Sequence, residues 1–193
     1  MKTAIILASG PSLTQEQIDA ALHSGHFTIA VNATYQKAPT ANVCYFGDFL
    51  FAKTYIADMR KVFKGEMWTQ DATTNGRWPD VKRMRGGHRE GLGKDVIHTN
   101  GQSGAQAINL AYLWGYKRII LLGFDLKLGP KGEKHHHENH PAPCVQGQTF
   151  SEWLDKFVKL AADLKAEGIE VLNATPGSAL KSFPMVDWKE VLL

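Results

Sequence analysis

Cysteine is scarce: 193 residues hold two, Cys44 and Cys144, a hundred positions apart. That excludes a disulfide-stapled scaffold and a CxxC zinc module, and two reduced thiols fit best. Long apolar runs are missing as well. The run at residues 119–122, like every other in the chain, is far short of a bilayer span. The apolar stretch after Met1-Lys2 ends at Ser9-Gly10-Pro11, too soon for a signal peptide, so a cytoplasmic location and no membrane partner are expected. Charge of one sign is lacking too. A formal net charge of +3 permits an anionic ligand without demanding nucleic acid. What remains is 44% hydrophobic and 21% charged residues, the balance of a folded domain with a real core.

The patterning alternates. Residues 4–8 are a short apolar run closed by Ser-Gly-Pro, which predicts a buried strand. Thr14 and Gln17 form a capping box ahead of Ile18, Ala21 and Leu22 at helical spacing. Residues 27–31 and 43–46 read as further strands, and residues 104–115 as a helix with a small-residue face. Residues 118–122 give the strongest strand signal. Residues 151–167 read as an amphipathic helix with Leu154, Phe157, Val158, Ala161 and Leu164 inward, stopped at Gly168, and residues 169–172 as a last strand. Trp114, Tyr116, Trp153 and Phe157 are assigned to the core. Residues 72–95 and 127–148 read as irregular, long for a compact domain. Alternating strands and helices predict a single α/β domain over 1–193, a mostly parallel sheet with helices on both faces. Ligands of such folds gather at the carboxyl ends of the strands, and the polar clusters fall there.

Four constellations can carry chemistry. Ser9-Gly10-Pro11-Ser12 is a glycine turn ahead of a helix, where free N–H groups suit a phosphate; it is neither a GxGxxG nor a Walker loop. A glycine needed only for the turn explains it equally well. Asn100-Gly101-Gln102-Ser103-Gly104 repeats the arrangement, with a plain N-cap as the alternative. His135, His136, His137 and His140 crowd six residues, a density no core requires. They suit a divalent metal held by His135, His137 and His140, a general base, or a phosphate. Arg77, Lys82, Arg83, Arg85, His88, Arg89 and Lys94 form a basic stretch, read as a lid over an anion, a nucleic-acid contact, or a solvated loop diluted by Asp80, Glu90 and Asp95. Asp48 and Asp125 each follow a strand end and suit a ribose, a metal or a cap.

Taken in order, Ile5-Ile6-Leu7-Ala8-Ser9-Gly10-Pro11-Ser12-Leu13, Val31-Asn32, Ser103-Gly104, the segment from Leu113 through Gly123-Phe124-Asp125, and Asn173-Ala174-Thr175 resemble the bacterial sialyltransferases of glycosyltransferase family 42 and the superfamily called domain of unknown function 115. Within it the chain is most similar to small phage-encoded members, many with a His-x-His-x-x-His-Pro loop at this point. The resemblance implies a Rossmann-like domain. It implies a nucleotide site built from Ser9, Gly10, Pro11, Ser12, Asn32, Ser103, Gly104, Gly123, Phe124, Asp125 and Asn173, to which Asp48 is added from its own place at a strand end. It implies His140 as general base, with His137 second. Lys127 stands where the family has a tyrosine that neutralises the leaving phosphate, and Thr99-Asn100 where it has an arginine. The family's membrane-associating C-terminal region has no counterpart.

The leading expectation is therefore a transferase that takes a nucleotide-sugar donor, CMP-linked in the sialyltransferases, as substrate, with no resident cofactor. Its acceptor would be a glycan, a metabolite or modified DNA, inside the host cell if the chain is phage-encoded. Relatives often form homo-oligomers. Metal-assisted phosphoryl or pyrophosphoryl chemistry through the histidine loop is the second expectation. A non-catalytic nucleotide-binding protein is the third. On the first, Gly10→Val blocks the approach of the donor phosphate.

Overall fold

A computed structural model describes residues 1–137 and 149–193. The chain runs β1 (Thr3–Leu7), α1 (Gln15–His23), β2 (Phe27–Val31), a 3-10 turn (Asn32–Gln36), β3 (Val43–Tyr45) and α2 (Phe49–Val62). It continues through β4 (Glu66–Thr69), α3 (Ala72–Arg77), β5 (Lys82–Arg83), β6 (Gly86–Gly87) and β7 (Ile97–His98). The last elements are α4 (Ser103–Leu113), β8 (Arg118–Leu122), α5 (Phe150–Ala166), β9 (Glu170–Asn173) and α6 (Trp188–Leu192). Seven strands form one sheet in the order β5-β4-β3-β2-β1-β8-β9, and every pairing is parallel. β6 and β7 make a separate parallel pair. This is the expected Rossmann-like α/β architecture.

The strands' period of two divides the core. Ile6, Ile29, Ile119 and Leu121 face one layer, covered by α4 and α5 through Ile108, Phe157, Leu160 and Leu164. Ile5, Leu7, Ile120 and Leu122 face the other, covered by α1, α2 and α6 through Ile18, Phe51, Met59 and Trp188. Central strands buried on both faces explain the unbroken apolar runs. Each such side chain fully withdrawn from water contributes about 1.5–3 kcal/mol. α4 is buried at every position from Ser103 to Ala111, which its small residues permit.

Some expectations shift. In α5 the inward stripe is Phe157, Leu160 and Leu164, while Val158 is 61% exposed. One residue turns a helix by about 100°, so Val158 falls on the flank of that stripe. The stretch 72–95 is not wholly irregular: α3 and β5 lie in it, the first capped by Asp71 accepting from Thr74 N at 2.6 Å. α2 forms where no helix was expected. Asp48 caps it, accepting from Phe51 N at 2.8 Å, and Phe51, Ala52, Ile56 and Met59 bury one face. Cys44 is buried and free, and burial pushes its thiol far up, keeping it protonated. Cys144 lies outside the described residues. Among the described residues no helix is long and apolar enough to cross a membrane.

Candidate functional site

β1 lies between β2 and β8, so the chain leaves β1 for β2 on one side and returns to β8 on the other. This is the topological switch point, where the loops diverge and leave a crevice. A cleft opens there. Its floor is Ala8, Ser9 and Gly10 after β1, Val31 and Asn32 after β2, and Gly123, Phe124 and Asp125 after β8. Gln102, Ser103 and Gly104 enter from the start of α4. Leu126, Lys127, Lys134, His135, Phe150 and Trp153 make the remaining wall. The cleft is open to solvent, and the space within and before it, solvent included, is about 620 Å³.

The turn after β1 is closed on itself. Gly10 N donates to Gly123 O at 2.9 Å, Leu13 N to Gly10 O at 3.2 Å and Ser12 N to Asp125 Oδ1 at 3.1 Å. The Ser12 hydroxyl takes the other Asp125 oxygen at 3.0 Å. Thr14 and Gln17 complete the expected capping box at α1. The N–H groups of Gly10, Ser12, Leu13 and Thr14 are thus spent inside the protein, and Pro11 has none to give. The expectation of a phosphate cradle at this turn is not met for them. Gly10 has a different reason to be glycine: a Cβ there would overlap the Asp125 carboxylate and the Gly123 carbonyl. Gly10→Val would therefore strike the contact between two loops rather than the approach of a ligand. Neither Pro11 nor Ser12 lines the cleft.

Asp125 is 4% exposed, and burial raises its carboxyl above the ordinary value, opposed by the two Ser12 hydrogen bonds and by Lys127. The segment that carries it is braced from behind. Phe124 N donates to Thr175 Oγ1 at 3.0 Å, and Ser178 Oγ donates to Phe124 O at 2.5 Å. Asn173 belongs to that brace. It is fully buried, donates to Ser178 Oγ and Leu180 O, and accepts from Thr175 N. It does not line the cleft. Asp48 stands apart as well, spent on the cap of α2.

The turn before α4 is open. Asn100 adopts a φ of +46° and is 1% exposed; its amide holds Gly91 O, His98 O and Gly91 N. Gly101 follows at +70°. Gln102 is the N-cap and makes no side-chain cap. The N–H groups of Ser103, Gly104 and Ala105 meet no acceptor among the described residues. A helix start of this kind carries partial positive charge and unused donors. A Cβ on Gly104 would stand 2.9 Å from the Phe124 ring, so glycine lets the helix start settle against that strand end. Asn32 also holds a left-handed φ of +52°, and its Oδ1 is buried with no hydrogen-bond partner at the cleft floor. Non-glycine residues in that region are uncommon and are concentrated at functional sites.

The histidine loop docks on this floor. His136 N donates to Ser9 O at 3.0 Å, and His135 Nδ1 lies 3.3 Å from Ser9 Oγ. His136 Nε2 meets Thr34 Oγ1 at 3.2 Å, and Lys37 Nζ donates to His136 O at 3.2 Å. Burial, with Lys37 and the neighbouring histidines adding to it, lowers His136 to about 3, so its ring is neutral and serves as an anchor. His135 and His137 stack at 4.8 Å. His135 is the imidazole that lines the cleft; His140 lies outside the described residues. Among the described residues no group of three or more His, Cys, Asp or Glu could hold a metal.

Comparison of the chain with family models, with curated proteins and with solved structures returns no match. Four cleft residues escaped the sequence reading, the first of them Leu126. Lys134 joins Lys127 as a second cation of the wall. Phe150 and Trp153, at 5.7 Å and 72°, put an aromatic edge at the start of α5, and Trp153 is therefore not a core residue. Helical spacing gave no warning: Trp153 stands one turn before Phe157, on the line of Phe157, Leu160 and Leu164, and meets the cleft because it lies in the first turn of α5. The basic stretch from Arg77 to Lys94 does not line the cleft.

Proposed function

We propose that the cleft holds the phosphate of a nucleotide-sugar against the start of α4 and that the protein is a glycosyltransferase. One observation carries this reading: the uncapped N–H groups at the start of α4, where Ser103 and Gly104 line the cleft, face the same space as Lys127 and Lys134. Helix donors and two cations converging on one space suit a phosphate, and they suit it best as it departs and gains charge. In the transfer the bond from the anomeric carbon to the phosphate oxygen breaks and the electron pair leaves with the nucleotide. The acceptor hydroxyl forms the new bond and gives its proton to an imidazole, a base suited to neutral pH. His135, which lines the cleft, would take that role, or His140, the base implied by resemblance. Phe150 and Trp153 offer flat apolar surface to a base or a sugar ring. Asn32 Oδ1, buried and unpartnered, is an acceptor awaiting a ligand donor.

A thermal-shift panel of CMP, CDP, UDP, GDP, ADP and ATP, with and without Mn²⁺ or Zn²⁺, tests this. A ligand that binds only the folded state adds about 2.7 kcal/mol at a hundred times its dissociation constant. A metal-free shift with one nucleotide, reduced in Lys127→Ala/Lys134→Ala, is the expected result. A shift that needs metal favours phosphoryl transfer through the stacked His135 and His137. No shift with any nucleotide overturns the proposal.

A further inference from the structure

Arginine is the side chain best matched to phosphate, planar, always charged and bidentate. The chain has six, and Arg77, Arg83, Arg85 and Arg89 fall within one short stretch. The two outside it are committed to carboxylates, Arg60 to Asp80 at 2.5 Å and Arg118 to Glu170 at 3.0 Å. The four inside are all exposed, and none has an ion-pair partner among the described residues. Two of the three carboxylates expected to dilute them are drawn elsewhere, while Asp95, exposed, lies past the last arginine. Asp80 holds Arg60, and Glu90 lies 4.0 Å from Lys156 of α5. Glu66 holds Lys82, and Asp71 caps α3.

Backbone bonds place these arginines. Arg83 Nε donates to Gln70 O at 3.2 Å, just past the end of β4. Gln70 Nε2 in turn donates to Gly47 O at 2.9 Å, just past β3. The carbonyl of Arg85 accepts from Ile97 N at 2.9 Å, and that of Arg89 accepts from Asn100 N at 3.3 Å. Asn100 opens the turn that leads into α4. At the other end the Arg77 guanidinium sits 5.6 Å from the Trp78 ring, which stacks on Phe49 at 5.6 Å and 20°. The stretch thus lies across the carboxyl edge of β3 and β4 and is tied to the mouth of the cleft.

We infer that this arginine arc is a binding surface for single-stranded nucleic acid. Unpaired arginines in sequence along one sheet edge suit a repeating phosphate backbone, and the half-buried rings of Trp78 and Phe49 add aromatic surface at one end. A lipid surface would need apolar side chains beside the cations; of the large exposed apolar residues among those described, α2 contributes Leu50 at its start and Val62 at its far end. The inference stands apart from the ligand proposed for the cleft.

Fluorescence anisotropy of a labelled oligothymidine of about 16 nucleotides tests it across a salt series. The wild-type protein binds at low salt and weakens as salt rises. Arg83→Gln/Arg85→Gln/Arg89→Gln binds at least about tenfold more weakly, and its salt slope falls by about 0.7 per arginine removed. Arg85→Gln/Arg89→Gln spares the bond from Arg83 to Gln70 and shows the same direction if the triple variant folds poorly. Lys53→Gln/Lys61→Gln/Lys64→Gln removes equal charge from the region of α2 and stays within about twofold of wild type. The inference fails if the wild-type protein does not bind at low salt. It also fails if the lysine variant loses as much as the arginine variants, or if anionic phosphatidylserine vesicles bind through the arginines while the oligonucleotide does not.

Discussion

The turn after β1 and the turn before α4 are alike in sequence, a glycine ahead of a helix, and differ in what their N–H groups do. The first closes on Asp125 and on its own capping box, so its donors stay within the protein. The second is held from outside by Asn100 and leaves the start of α4 without a cap. A glycine turn therefore marks a close approach, and the neighbouring carboxylate decides what approaches. Where Asp125 stands, it is another loop; where no carboxylate stands, the donors remain for a ligand.

The largest effect that would break this contrast is at the closed turn. Gly10→Val forces a side chain into Asp125 and Gly123, and a loss of about 3 kcal/mol of stability is expected, read as a fall in the urea midpoint. If Gly10→Val kept wild-type stability and lost only ligand binding, the closed turn would be a ligand site after all. Next comes Asp125→Ala, which leaves Ser12 N–H and Oγ unsatisfied and costs about 2 kcal/mol. This loss depends on pH. Burial raises the folded-state value of Asp125, so folding takes up a proton between the unfolded value and the raised one. The stabilisation is full below the ordinary carboxylate value and shrinks as pH rises through that window. The gap between wild type and Asp125→Ala should therefore be widest in acid, which denaturant curves across pH would show.

At the open turn the effects move from stability to binding. Lys127→Ala/Lys134→Ala should weaken the responding nucleotide by about tenfold, near 1.4 kcal/mol, by calorimetric titration. Its melting temperature should stay at the wild-type value, because both lysines are exposed. The smallest effect belongs to the histidine loop, which docks on the closed turn. His136→Gln should change neutral-pH stability by no more than about 1 kcal/mol. It should flatten the acid limb of the stability profile. The folded-state value of His136 lies near 3 against 6.5 unfolded, so its contribution is whole above 6.5 and lost as pH falls toward 3. An unchanged acid limb would mean that His136 is not the buried neutral anchor described above.

The sheet was legible because its strands are apolar on both faces. Residues 118–122 form β8 with the expected bounds, and Thr14 with Gln17 caps α1 as read. α2 was missed because Asp48 was left open between a ligand group and a cap, and a carboxylate before an apolar run looks alike in either role. The cleft was legible at its floor, where polar residues follow strands. Its wall was not. Lys134, Phe150 and Trp153 come from segments whose distance from β1 only the packed chain defines. The spent donors of the first turn were invisible for the same reason, since Ser12 and Asp125 meet only across the sheet.

The position of β8 beside β1 also bears on how the chain is made. Thr3 pairs with Arg118, so the first strand synthesised waits for a partner that emerges more than a hundred residues later. At ordinary translation speeds that is a delay on the order of ten seconds. Until then β1 shows one unpaired edge, and parallel pairings across such separations form slowly. No ligand of the cleft can assist the early steps, because the floor after β8 does not yet exist. A shortened nascent chain ending before Arg118 would expose that edge and depend on a holding chaperone, whereas release of the edge marks the moment at which the protein becomes competent to bind.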